Sequence, residues 1–250
     1  MKEPIISQKN LNNIRSFLEL IYYNHNATKE EVKDFLRNCM QFIFEINSID
    51  VNNFDITFHF PQSKIFTKCE ALVRADDKKE DKFDVYFNYE VFKVKNKIDT
   101  ENYTYPISIA FHEFSHILQY ILNRDELDIF DADNIEIHKI IDIISSKNFR
   151  SPEKQKAKKN LEKYLNCLES ISIYEKEADS ISYATSKLLF NTLLKNETNT
   201  DLSIFYLDCL NYLQFLRKEE HIIYRKFSKI KKDVVNQLKS SSIIEITIED

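Results

Sequence analysis

The stretch Ile107-Ser108-Ile109-Ala110-Phe111-His112-Glu113-Phe114-Ser115-His116-Ile117-Leu118-Gln119 carries HExxH inside an apolar helical pattern, and its reading decides the rest of the chain. His112 and His116 are four residues apart, so on a helix their imidazoles stack on one face, one turn apart. Both can then reach a single ion at roughly 2.0 to 2.1 Å. Glu113 lies beside them, within reach of a water on that ion. Phe111, Phe114, Leu118 and Ile121 form the opposite stripe, which predicts that the helix packs through one face and does chemistry through the other. The competing reading is an ordinary amphipathic helix with three polar residues. With six histidines in the chain, chance placement gives the motif in roughly one such chain in a hundred, which favours the functional reading.

Two histidines do not complete a catalytic zinc site, which takes three protein ligands and keeps a position for water. Downstream, Tyr174-Glu175-Lys176-Glu177-Ala178-Asp179 offers Glu175 and Asp179 one helical turn apart. One carboxylate can bind the ion while the other orients a ligand imidazole through its second nitrogen. Glu175 is therefore the expected third ligand and Asp179 its supporting partner. Alternatives remain open at this point: Glu136 with His138 nearby, Glu197 with Asp201 in an expected loop, or a plain surface charge cluster at Glu175.

On these residues the chain resembles the gluzincin metallopeptidases, which pair an HExxH helix with a glutamate on a later helix. His112, Glu113 and His116 fall on the helix motif, Glu175 on the ligand glutamate and Asp179 on the acidic residue one turn later. The wording Glu175-Lys176-Glu177-Ala178-Asp179 is similar to the same region in HtpX-type proteases, ImmA/IrrE regulatory peptidases and Lit-type phage-exclusion peptidases. The likeness covers about thirty residues, and Ser115 stands where glycine commonly precedes the second histidine. It implies a zincin-like fold, a Zn2+ cofactor and a protein or peptide substrate, with the soluble regulatory or phage-defence peptidases as the nearer analogies.

The expected mechanism follows from the site. The metal lowers the pKa of a bound water, Glu113 takes its proton as that water attacks a peptide carbonyl, and Glu113 then delivers the proton to the leaving amine. Developing oxyanion charge calls for a further donor; Tyr183, His221, Tyr224 and Arg225 are candidates, His221 first. An extended substrate is expected to add to a sheet edge, with Phe83 to Phe92 as the candidate strand. His25 and His59 are expected to be structural or surface residues. The rival class is a non-enzymatic helical interaction protein, or a degenerate peptidase retained for partner binding.

Outward from the motif, Phe54, Ile56, Phe58 and Phe60 alternate with polar residues, as do Phe83, Val85, Phe87, Tyr89 and Val91, which predicts half-buried strands with a less regular one over Ile65 to Val73. Leu11 to Ile46 repeats at helical spacing and contains a Thr28 to Glu31 capping box, which predicts two helices. Helical patterns resume after Pro106 to about Asn123, around Ile135 to Ile144, from Pro152 through Leu194 and over Leu202 to Leu238. The fold class expected is α+β: a mostly helical chain with a small, mainly antiparallel sheet before the HExxH helix. All 250 residues suit a single metallopeptidase domain, with N-terminal helices in 1–50, the sheet in 51–105 and the HExxH and C-terminal helices in 106–250.

Composition narrows the function classes. Lys and Arg number 35 against 40 Asp and Glu, a formal charge of -5, so no basic surface for nucleic acid is expected. The mixed charges of Glu153 to Lys163 suit a solvated helix face. The chain has no glycine, whereas average usage would give roughly seventeen. Phosphate-cradling loops and dinucleotide fingerprints need residues without side chains, so kinase, P-loop and Rossmann readings fall away. Asn and Asp are expected to serve the turns instead, as in Asn24 to Asn26 and Asn196 to Asn199. Cys39, Cys69, Cys167 and Cys209 are scattered as buried free thiols would be. No apolar run in Met1 to Leu20 is long enough for a signal or a span, which predicts a soluble cytoplasmic protein without membrane contact.

Overall fold

The structure is a computed structural model, and it describes residues 6–24, 27–61, 71–76, 79–93, 101–122 and 173–240. The elements are α1 (Gln8–Asn24), α2 (Lys29–Ile46), β1 (Asp55–His59), β2 (Ala71–Asp76), β3 (Lys79–Phe87), α3 (Glu101–Leu122), α4 (Ile173–Lys195) and α5 (Thr200–Ser240). The described chain is therefore mostly helical with one small sheet, an α+β architecture. Two compact units divide it: Met1–Asn123 with Ala178–Phe215, and Arg124–Glu177 with Leu216–Asp250. Described residues of the second unit are 173–177 and 216–240. Among the described residues no helix is long and apolar enough to cross a membrane.

The two N-terminal helices form because their apolar residues return every three or four positions. Leu11, Ile14, Phe17, Leu18 and Ile21 of α1 are buried, as are Val32, Phe35, Leu36, Cys39 and Ile43 of α2, and the Phe17 and Phe35 rings stack at 4.1 Å. The capping box is present: Thr28 Oγ1 accepts from the Glu31 N–H, and Glu31 Oε2 accepts from the Thr28 N–H at 2.7 Å. Such a cap contributes about 1 kcal/mol.

The end of α2 shows how the chain turns without glycine. The Ser48 N–H donates to the Glu45 carbonyl and the Ile49 N–H to the Phe44 carbonyl, the paired bonds of a Schellman stop. Ser48, at φ 58°, occupies the left-handed position that glycine usually fills. It is the only described residue with positive φ. Asn199 does other work than expected: its side chain accepts from the Asp201 and Leu202 N–H groups and caps the start of α5. Residues 25 and 26 lie outside the described set.

Sheet order is β1-β3-β2, with β1 parallel and β2 antiparallel to β3. The sheet is thus mixed, not mainly antiparallel. Alternation in sequence fixes which face of a strand is buried; it carries no information on the direction of the neighbour. The candidate edge strand is also corrected. β3 is central, paired along both sides, and its chain leaves the sheet after Phe87 for a 3-10 turn at Tyr89–Phe92. Its inward residues Phe83, Val85 and Phe87 are fully buried, as the middle strand's should be. The irregular strand over Ile65 to Val73 is described only from Ala71 on, in β2.

α3 lies across this sheet. Phe114 meets Phe58 and Phe87 at 6.0 and 6.2 Å, Tyr120 meets Phe83 at 5.4 Å, and Phe111 meets Phe42 of α2 at 6.1 Å. Phe111, Phe114 and Leu118 of the expected packing stripe are buried and Ile121 is half-buried. The helix begins at Glu101, ahead of the expected start after Pro106, which lies inside it. Pro106 lacks an N–H where the second intrahelical bond would form, close to an end whose first four N–H groups have no helical partner anyway.

α5 is one helix of 41 residues where several were expected, roughly 60 Å long at about 1.5 Å per residue. No proline or glycine interrupts it. Its buried face carries Leu202, Phe205, Tyr206, Cys209 and Leu213. Burial pushes the Cys209 thiol up to about 12, and that of Cys39 well above its ordinary value, so both stay protonated. The expected helix over Ile135 to Ile144, the charged run Glu153 to Lys163, Cys69 and Cys167 lie outside the described residues.

Candidate metal centre

α3 presents His112 and His116 on one face, as their four-residue spacing requires, with the rings 4.7 Å apart and nearly perpendicular. Each ring is held through Nδ1. His112 Nδ1 lies 2.7 Å from Asp179 Oδ1, and His116 Nδ1 lies 2.9 Å from Gln119 Oε1. Both partners are acceptors, a setting that favours the proton of each neutral imidazole on Nδ1 and a lone pair on Nε2. The two Nε2 atoms face one another at 3.1 Å. Two imidazole nitrogens at this distance share either a proton or a cation, and with both protons held at Nδ1 the pair has the donor chemistry of a metal site.

Glu175 supplies the third group. Ligand atoms of His112, His116 and Glu175 all lie within 4.8 Å of one another. Glu175 sits in the first turn of α4, one turn before Asp179, and α4 is continuous from Ile173 to Lys195. A single helix therefore places both acidic residues, one toward the shared point and one behind His112. Glu113 follows His112 on α3 and is 8% exposed, a carboxyl group largely withdrawn from bulk water.

Small residues let α3 and α4 approach. Ala178, Ser182, Thr185 and Ser186 are buried along one face of α4, and Ser182 Oγ donates to the Ser108 carbonyl at 2.6 Å. Ser108 precedes His112 by one turn while Ser182 follows Asp179, so the helices run antiparallel through these two contacts. Ser115 is accommodated without glycine's freedom, its hydroxyl donating to the Phe111 carbonyl one turn back at 2.6 Å. That bond satisfies a buried hydroxyl inside the helix.

Of the competing assignments, the structure describes the one at Glu197. Glu197 does lie in the loop after α4, with its side chain fully buried against Arg15 of α1. Glu136 and His138 lie outside the described residues. His59 pairs with Asp84 at 2.7 Å and stacks on Tyr86, on the face of the sheet turned away from Phe58; His25 is not described. Among the oxyanion candidates, His221 and Arg225 are exposed, whereas Tyr183 and Tyr224 are half-buried with Lys187 and Lys176 over their rings at 5.9 and 5.4 Å.

Comparison with protein families, with curated proteins and with solved structures finds no match for this chain. The site rests on its own geometry. Gln119 is the contact that motif spacing did not single out; its place three residues after His116, on the same helical face, was the available signal.

Proposed function

We propose that this chain is a zinc-dependent endopeptidase of zincin-like fold. The observation that carries the reading is the pair of Nε2 atoms meeting at 3.1 Å beside the Glu175 carboxylate, each ring fixed from behind. Two ligands at about 2.05 Å on a tetrahedral zinc stand about 3.3 Å apart, so the imidazoles need almost no movement to accept the ion. Two imidazoles with one carboxylate suit a catalytic rather than a structural zinc, because three ligands leave a position open.

His112, His116 and Glu175 would hold Zn2+, which when bound supplies Lewis acidity toward a carbonyl and lowers the pKa of water. Asp179 and Gln119 keep the ligand nitrogens unprotonated. Glu113 takes the proton of the attacking water at its carboxylate and returns it to the leaving amine. An extended peptide can add to the sheet only on β1 or β2, since β3 is paired on both sides; β2, the edge strand packed against α3, is the preferred one. The local likeness to regulatory and phage-exclusion peptidases points to a regulatory or defence protein as substrate, met in the cytoplasm.

The test joins metal content to cleavage. Purified protein is expected to carry or take up one zinc, and Glu113→Gln to keep it while losing hydrolysis, because an amide can bond to water yet cannot accept its proton. Mapping new peptide ends in a proteome exposed to the parent and to Glu113→Gln identifies the substrate. Protein that takes up no zinc on titration, or a metal-loaded Glu113→Gln with full activity, removes this reading.

A further inference from the structure

The two imidazoles are held by chemically different groups. Asp179 reaches His112 from another helix as a carboxylate, which accepts hydrogen bonds and never donates one. Gln119 reaches His116 from the same helix, and its side chain is buried at 2% exposure. A carboxamide carries an acceptor oxygen and a donor NH2 on one planar end, so its two orientations demand opposite tautomers of the ring it faces. With Oε1 at Nδ1, the His116 proton sits on Nδ1 and the Nε2 lone pair faces His112. With the NH2 group there, the proton moves to Nε2 and points into the space between the rings, closing it to a cation.

We infer that Gln119 is a positioning residue whose amide orientation fixes the tautomer of His116 and thereby sets the metal affinity of the site. The inference rests on the metal reading proposed above. Being three residues away on α3, Gln119 presets His116 within one helix, whereas His112 acquires its partner only when α4 docks. Gln119 is itself buried, so its amide competes with little bulk water for its bond to Nδ1 and biases where the proton sits.

Two measurements test this. Long-range proton–nitrogen NMR spectra of the metal-free protein read which nitrogen of His116 carries the proton, and competition with a chelator reads zinc affinity. The parent is expected to show Nδ1–H. Gln119→Leu is expected to lose that preference and to bind zinc about 10 to 100-fold more weakly. Gln119→Glu, an acceptor only, is expected to keep Nδ1–H and to bind zinc at least as tightly as the parent. A side chain that merely fills space predicts the opposite order, since leucine suits a buried position and an added carboxylate does not. Nε2–H in the parent, or a Gln119→Leu protein with parental affinity, overturns the inference. Should Gln119→Leu fail to fold, the parent spectrum and Gln119→Glu decide. A parent that binds no zinc overturns the metal reading itself, and the tautomer assignment then stands or falls on the spectrum.

Discussion

Two acidic residues mark the two ends of α4, each reaching a basic side chain on an earlier helix, and they do opposite things. Glu197, just past the C-terminal end, accepts from the Thr198 and Asn199 N–H groups at 2.9 and 2.8 Å and meets Arg15 Nη2 at 2.9 Å, its own side chain fully buried. Those donors bind its carboxylate into the turn between α4 and α5. Asp179, near the other end, is 22% exposed and meets a ring whose second nitrogen faces another imidazole and a carboxylate. An acid surrounded by backbone donors closes a turn, whereas an acid behind a two-faced ring aims that ring at something else. Sequence alone made Glu197 and Glu175 rivals for one role; donor geometry separates them.

Substitution at the two ends can break that contrast. The largest effect is expected from Glu175→Ala, which removes a metal ligand and should nearly eliminate zinc binding in chelator competition while leaving thermal unfolding almost unchanged. Zinc held as tightly as in the parent would sink the assignment. Asp179→Ala should weaken zinc affinity by about 10 to 100-fold through the loss of His112 orientation. Glu197→Ala should reverse the pattern, lowering stability to urea by about 1 to 3 kcal/mol because the turn and Arg15 lose their hydrogen bonds to a charged acceptor, with zinc affinity unchanged. If Glu197→Ala weakened zinc as much as Asp179→Ala does, the two ends would not be functionally distinct. The smallest effect is at Ser48→Gly, where relief of a left-handed serine is expected to raise urea stability by less than about 1 kcal/mol.

What could be read from the sequence was local. The Thr28–Glu31 cap, the helical stripes of α1 and α2 and the alternation of Phe83, Val85 and Phe87 depend on neighbours within a few residues, and each has its counterpart in the structure. Strand order was not local: the same alternation serves a central or an edge strand, so β3 was misplaced and β1's parallel pairing missed. Pro106 misled because the residue before proline disfavours helix, a preference that a helix end can override. At the site, spacing nominated His112, His116, Glu175 and Asp179, but it could not show how the rings turn. That depends on the hydrogen bonds that Nδ1 donates, one of them to Gln119, whose residue type advertises nothing.

The absence of glycine reaches beyond turn geometry to the denatured ensemble. A chain without glycine samples fewer backbone conformations when unfolded and gives up less entropy on folding, a gain spread over every position where glycine would otherwise stand. The cost is concentrated, at Ser48 and at turns such as that of Glu197 and Asn199, where a particular side chain does what an unhindered backbone would have done. Substitutions at those turns should therefore be tolerated less well than loop positions usually are, because each turn here has one chemical solution in place of many.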